Sequence, residues 1–494
     1  MRRCPRRLLV LSLAALVPVV PAATSASAQE GTHSANMSHV ANLPYPSIPG
    51  RTAITNGGTD IEFVTMTLGG ERRSVTREFA LAGSYDNGLQ IVDITDPEDA
   101  RIVARYDCAI RQGDVQVFTR GLRTLVTYTQ DDPYSGRAQH DTSSQCYREA
   151  TELGMFGPGV NPAGTFIVDI SKPGSPRTVS FLSEPRGSHN QTVAPGGLYL
   201  YNSNSDLNAN NFQIEVWDIS NLKAPKRAFV LNTETGLSSH DITFSEDGTR
   251  AYSAAITHTL VLDTTDLARP RIIGRIIDPA VNIHHQSDPV TLTDATTGQE
   301  RTFLVVTDEI AGAAGNAVCP GGGLHVYDVT GDLERTPVKV GVWNMPEVQL
   351  TTDNLTCTSH VLRMYPEHGL MTIAWYAAGV RVVDISGLVG ISLGVDEGAG
   401  NVGAGMKEVG YHYFPNSDTW SVKTNKIEAD GSFYLYGNDL NRGLDVYRFS
   451  AFAAPATDGG TWLSAGQAAA PAPTASALDA ATGPYCLYRG LEVA

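Results

Sequence analysis

Histidine is the residue type whose placement stands out in this chain. The phrases "GSHNQTV", "LSSHDITF", "IHHQSDPVTL" and "TSHVLRM" put His189, His240, His284, His285 and His360 where alternating strand patterns begin. Five of the twelve histidines share that position. A neutral imidazole binds iron, copper, zinc or nickel through one ring nitrogen at roughly 2.0–2.2 Å, and a partner on the other nitrogen holds the ring in place. Histidines that open separate strands form one site only if the fold gathers those strand starts around a common point.

The elements that would do so are repeated. "GLQIVDIT" begins at Gly88, "GTFIVDIS" at Gly164, "QIEVWDIS" at Gln213, "HTLVLDTT" at His258, "GLHVYDVT" at Gly323, "GVRVVDIS" at Gly379 and "GLDVYRFS" at Gly443. Their shared aspartates are Asp93, Asp169, Asp218, Asp263, Asp328 and Asp384, with Arg448 in the last copy, at spacings of 76, 49, 45, 65, 56 and 64 residues. Each copy alternates as a strand does and leads through a proline-bearing loop into another, as in "DLARPRIIGRI". A hairpin precedes each copy, such as Asp241 to Ala254 around the Asp247-Gly248 turn. Four short strands per unit are the pattern of propeller blades. The repeated aspartate sits where strand gives way to turn, and it is expected to satisfy loop backbone donors there.

These phrases resemble the LVIVD repeat family of β-propeller proteins, and the resemblance runs from about residue 36 to residue 450. It implies the fold and says almost nothing about activity. Two copies depart from the pattern: Thr264 and Thr265 replace the usual Ile-Ser, and Arg448 replaces the aspartate. The expectation is an all-β, seven-bladed β-propeller in a single domain over residues 29–450, with an Ala/Pro-rich low-complexity tail over 451–494. No fourth strand follows the last copy, whereas "NMSHVANLPYP" reads like the fourth strands "VKVGVWNMPE" and "KEVGYHYFPN". The N-terminal strand is therefore expected to complete the last blade and remove an open edge.

In such a ring the first strand of each blade lines the central channel. Aligning the blades at that strand's start brings together Asp60, Asp114, His189, His240, His285 (with His284 as the alternative), His360 and Trp420. The expected site is a transition metal held by His189, His240, His285 and His360, iron or copper ahead of zinc. Asp60, Asp114 and Asp241 are the carboxylates available to brace the imidazoles. Trp420 is expected at the channel mouth, where the irregular insertion in blade 2 would roof one face. Ligands from adjacent blades cover one side of the axis and leave positions open, which suits catalysis better than a closed structural site. At the level of fold this parallels the carotenoid-cleaving dioxygenases, seven-bladed enzymes whose axial iron is held by four histidines. The function expected is a metal-dependent oxidoreductase acting on a small organic substrate. A non-catalytic extracellular interaction or adhesion scaffold, binding a cell-surface protein, is the alternative. The other seven histidines read as core or surface residues.

Composition narrows the partners. Arg2, Arg3, Arg6 and Arg7 precede an apolar run from Leu8 to Val20 and an Ala26-Ser27-Ala28 cleavage pattern, so residues 1–28 read as a signal peptide of an exported, bacterial type. The paired arginines leave both the ordinary secretory and the twin-arginine routes open. Its removal moves the formal charge from −16 to −20, which repels phosphate backbones and argues against nucleic acid. No apolar run suits a transmembrane helix, and a secreted monomer is expected. Export permits disulfides. Cys108–Cys146 and Cys319–Cys357 would each staple an irregular insertion, leaving Cys486 odd. No nucleophile elbow, H-E-x-x-H helix, Walker loop or dinucleotide fingerprint is present in a fitting context.

Overall fold

The computed structural model describes residues 31–48, 56–70, 73–130, 143–155, 163–184, 187–205, 212–294, 296–309, 321–346, 357–391 and 401–451. The leader expected over 1–28 and nearly all of the tail expected over 451–494 lie outside them.

The strands form the seven sheets of the expected propeller, with the four strands of each blade antiparallel. Blade 1 comprises Gly58–Gly70, Arg73–Ser84, Leu89–Asp93 and Arg101–Tyr106; blade 2, Gln112–Arg120, Arg123–Gln130, Gly164–Asp169 and Arg177–Ser183. Blade 3 comprises Asn190–Val193, Tyr199–Ser203, Gln213–Asp218 and Lys226–Asn232; blade 4, Asp241–Phe244, Arg250–Ala254, Thr259–Asp263 and Arg271–Ile276. Blade 5 holds His284–Thr293, Glu300–Asp308, Gly323–Asp328 and Val338–Trp343; blade 6, Leu362–Tyr365, Leu370–Ala374, Val380–Asp384 and Lys407–Tyr413. Blade 7 takes Thr419–Lys423, Phe433–Asp439 and Gly443–Phe449 from the C-terminal end, and Met37–Leu43 pairs antiparallel with the last of these. The N-terminal strand thus completes the last blade. Two short additions were not anticipated: Thr32–His33 extends blade 6, and Asn401–Val402 runs parallel to the outer strand of blade 5.

The third strand of each blade is buried on both faces, which is why the repeated phrase reads as a nearly continuous apolar run. Leu89, Ile91 and Val92 are fully buried, as are Leu324 and Val326 in blade 5. Burying each such side chain contributes about 1.5–3 kcal/mol. The aspartates that end these strands have the role anticipated for them. Asp93 Oδ1 accepts from Thr95 N and Oγ1 (3.1 and 2.6 Å), Asp169 from Ser171, Asp263 from Thr265, and Asp384 from Ser386.

Neighbouring blades are stitched near the axis by side chains reaching backbone carbonyls. Tyr128 donates to Ser84 O (2.8 Å), Thr192 to Ile242 O (2.7 Å), Thr372 to Val422 O (2.8 Å) and Ser421 to Thr59 O (2.9 Å). The insertion in blade 2 contains a helix, Gln145–Glu152, capped by Ser144. Cys146 on that helix is bonded to Cys108. Glu149 accepts from Thr178 N and Oγ1, so this part of the insertion packs on the outer strand of blade 2 and does not roof the channel. The pairing expected between Cys319 and Cys357 falls partly outside the described residues, because Cys319 does.

Candidate metal centre

In blades 3, 4 and 6 the first strand begins with a backbone hydrogen bond to the end of the second, and in blade 5 with one to the neighbouring blade. His189 N donates to Ser203 O (2.8 Å), His240 N to Ala254 O (2.7 Å), His284 N to Ile256 O (2.7 Å, across to the neighbouring blade) and His360 N to Ala374 O (3.0 Å). On the strand starts held in this way, the rings of His189, His240, His285 and His360 stand in series. Ring centroids are 4.2 Å apart for His189–His240, 4.4 Å for His240–His285 and 4.1 Å for His285–His360. All four are buried.

Blade 5 offers two consecutive histidines, and a bulge separates their directions. The strand register shifts between His284 and Gln286, leaving His285 outside regular pairing. His285 turns to the other rings, whereas His284 Nδ1 meets Thr259 Oγ1 of blade 4 at 2.9 Å. His284 therefore lies apart from the series, in the gap between blades 4 and 5.

The ring nitrogens divide into held and unheld. His240 Nδ1 lies 3.0 Å from His285 O, and His360 Nδ1 lies 2.6 Å from Trp420 O. A carbonyl only accepts, so both rings carry hydrogen on Nδ1 and present a lone pair at Nε2. Those Nε2 atoms, together with both nitrogens of His285, are buried without a hydrogen-bond partner. His189 differs, because Gln112 Nε2 lies 3.1 Å from its Nε2.

A carboxylate completes the cluster. Ligand atoms of His240, His285 and Glu309 all lie within 4.8 Å of one another. Glu309 follows directly on the second strand of blade 5, and its backbone N–H reaches Ile283 O (3.2 Å) just before the histidine pair. Its Oε2 is 3.8 Å from His285 Nε2 and has no hydrogen-bond partner, while Oε1 accepts from the Tyr376 hydroxyl at 2.8 Å. His360 Nε2 is 3.9 Å from Oε1. Burial pushes the Glu309 carboxyl up to about 8 and His360 down to about 3. Burial, reinforced by the neighbouring imidazoles, holds His240 and His285 well below the usual histidine range. At neutral pH the rings are neutral, which is the form that ligates.

The carboxylates expected to brace the imidazoles are engaged elsewhere. Asp60 and Glu62 of blade 1 both accept from Lys423 Nζ of blade 7 (2.7 and 2.9 Å), and Glu62 also pairs with Arg363 of blade 6. Asp114 accepts from Gln191 N (3.0 Å), and Asp241 from Ile242 N (2.7 Å). With Asp288, whose Oδ1 accepts from Thr243 Oγ1 at 2.6 Å, they form a charged belt contributed by several inner strands. For Asp60 and Asp114 the reason is register. The inner strands of blades 1, 2 and 7 are bulged at their starts, between Gly58 and Ile61, Gln112 and Val115, and Thr419 and Ser421, and these bulges are not legible in the sequence. Gln112, not Asp114, is the blade 2 residue at the level of His189. Trp420 is buried rather than standing at a mouth, edge-on to His360 with centroids 4.6 Å apart.

Sequence reading passed over Glu309, Tyr376 and Gln112. The first of these had a usable signal. In an antiparallel hairpin the end of the second strand lies beside the start of the first, and His284 pairs with Asp308. The acid after "FLVVTD" was therefore placed opposite the histidine pair. Tyr376 lies in a turn and reaches the site from another blade, which no local pattern announces.

A model of the LVIVD repeat matches residues 74–108, which span most of blade 1. Solved structures resemble the chain at low identity. Kuenenia stuttgartiensis hydrazine synthase is 14% identical with a TM-score of 0.49, over 82% of this chain and 99% of that one. A periplasmic gluconolactonase of Pseudomonas aeruginosa is 16% identical with a TM-score of 0.38, over 72% and 84%. A putative 6-phosphogluconolactonase from Bacteroides fragilis is 13% identical with a TM-score of 0.35, over 66% and 76%. No curated protein matches the sequence. The chain carries an LVIVD-repeat region in a seven-bladed β-propeller, and that propeller holds a buried His/His/Glu cluster compatible with a metal ion.

Proposed function

We propose that the axial cluster is a transition-metal site and that the chain is an exported, metal-dependent oxidoreductase acting on a small organic substrate. The carrying observation is a set of buried, unpartnered ligand atoms: His240 Nε2, one ring nitrogen of His285 and Glu309 Oε2, with His360 Nε2 beside them. Leaving one buried polar atom unpaired costs about 1–3 kcal/mol, so four in one place call for a common compensating partner. A cation is the species that satisfies imidazole lone pairs and a carboxylate together.

His240, His285 and Glu309 would hold the ion, with His360 beside them and His189 at the edge of the series. Two histidines and one carboxylate with open positions are the donor set of non-haem iron(II) oxygenases, and imidazoles also suit copper. When bound, such an ion supplies one-electron redox chemistry and Lewis acidity. Zinc fits the donors equally well but brings no redox change. The residues themselves exclude bulk water and keep the rings in the ligating tautomer.

An extracellular interaction scaffold would leave the unpartnered atoms unexplained. No helix among the described residues is long and apolar enough to cross a membrane. The test is elemental analysis of tag-free protein beside His240→Ala and Glu309→Gln variants, followed by oxygen-consumption screens. About one iron or copper per chain, lost from folded variants, supports the reading; protein that stays metal-free after reconstitution removes it.

A further inference from the structure

Tyr376, like Gln112 beside His189 (φ 77°), holds an unfavourable backbone conformation at the cluster. It has φ 39°, the left-handed region, in the turn between the second and third strands of blade 6. The corresponding turns of blades 1 and 4 put Asp86 (φ 59°) and Ile256 (φ 62°) at the same place. The turn itself therefore demands the conformation, and a bulky aromatic is a poor choice for it unless the side chain is needed. Backbone bonds over-determine the turn: Gly379 N and Thr419 N both donate to Tyr376 O, at 2.9 and 3.0 Å, and Trp375 N donates to Gly379 O at 2.8 Å. The ring is buried against His360, with centroids 4.5 Å apart, and against Trp420. Its hydroxyl ends on Glu309 Oε1 at 2.8 Å.

That contact has a chemical consequence. A free carboxylate can ligate through both oxygens. Here the phenol occupies Oε1 from blade 6, and Oε2 is left unpartnered towards His285. Carboxylate ligands are commonly held by such outer hydrogen bonds, whose loss costs 10- to 100-fold in metal affinity. We propose that Tyr376 is a positioning and specificity-determining residue: its hydroxyl restricts Glu309 to one ligating oxygen and so tunes the site to small, imidazole-preferring transition ions. This rests on the metal reading given above. Releasing Oε1 would let the carboxylate bind through both oxygens, which favours manganese over zinc.

The experiment uses the metal-free full chain and titrates it calorimetrically with zinc and, separately, with manganese, for the wild type, Tyr376→Phe and Glu309→Gln. The expected result is zinc affinity lowered by roughly 10- to 100-fold in a folded Tyr376→Phe protein, with a smaller loss or a gain for manganese. Cobalt added as a spectroscopic probe should show shifted visible bands in the same variant. Unchanged zinc affinity and an unchanged cobalt spectrum would overturn the proposal while leaving the metal site standing. A wild type that binds neither ion would overturn both. A readout on the wild type covers a variant that does not fold. The zinc-induced infrared difference spectrum, assigned to Glu309 by its absence in Glu309→Gln, should show the wide carboxylate splitting of single-oxygen ligation, and a narrow, two-oxygen splitting would overturn the proposal.

Discussion

His240 hands the hydrogen on its Nδ1 to the backbone carbonyl of His285, 3.0 Å away on the next blade. One candidate ligand is thus oriented by the main chain of another, and His360 repeats the device with Trp420 O at 2.6 Å. Each ring's tautomer is set across a blade boundary.

The four histidines are accordingly not equivalent. His240→Ala or His285→Ala should lower transition-metal affinity by 100-fold or more, because each removes a ligand. His189→Ala should cost about tenfold or less, since its Nε2 is already engaged by Gln112. Titration calorimetry on the three variants checks the order, and equal losses would show that Gln112 yields the nitrogen when metal binds.

Stability of the metal-free protein should depend on pH in a direction set by buried carboxyls. Burial pushes Glu309 up to about 8 and Asp241, which also faces Asp288, up to about 7. A raised carboxyl stabilises the fold fully below its unfolded value near 4, and this contribution is lost as pH rises through the folded value. The buried histidines act in the opposite sense: with His360 and His412 pushed down to about 3, stability rises with pH until about 6.5. Between about pH 6.5 and 9 only the carboxyl effect remains, so the melting temperature should fall. Glu309→Gln should remove part of that slope in a melting series across this range.

The charged belt makes a separate prediction. Lys423 bridges Asp60 and Glu62 while 5% exposed. Lys423→Met strands buried carboxylates and should cost about 3–5 kcal/mol in denaturant unfolding. Adding Asp60→Asn to the same protein should recover most of the loss, because Glu62 keeps Arg363 as its partner and no unpaired charge then remains. Failure to recover it would point to packing of the lysine stem instead.

The Cys108–Cys146 bridge closes a separation of 38 residues and ties the helix of the insertion to the connection between blades 1 and 2. Replacing both cysteines by serine should cost about 3–4 kcal/mol, by the loss of a constraint on the unfolded chain. Because the helix packs on the outer strand, metal binding should be unchanged, which calorimetry can check on the same variant.

The fold was legible because the physics behind it is local and repeated. Each third strand is buried on both sides, so it reads as an apolar phrase, and all but the last end in an aspartate that bonds two residues ahead. Met37–Leu43 could be paired with the last blade because its pattern matched other fourth strands. The site was legible only in part. A histidine at a strand start is a local signal, and His189, His240, His285 and His360 do meet. Bulges shift register without announcing themselves, which is why Asp60 and Asp114 went to the charged belt and Gln112 took the place opposite His189; Asp241 joins the belt from an unbulged strand. Glu309 depended on reading the hairpin partner of the histidine pair, and Tyr376 on a contact between blades.

The most direct measurement is anomalous diffraction from crystals of the natively purified protein, collected above and below the iron and copper absorption edges. The account predicts one strong peak within bonding distance of His240 Nε2, His285 and Glu309 Oε2, at the edge of one of these metals. Crystals of metal-reconstituted protein with no peak there, or with the peak confined to another part of the molecule, would contradict it.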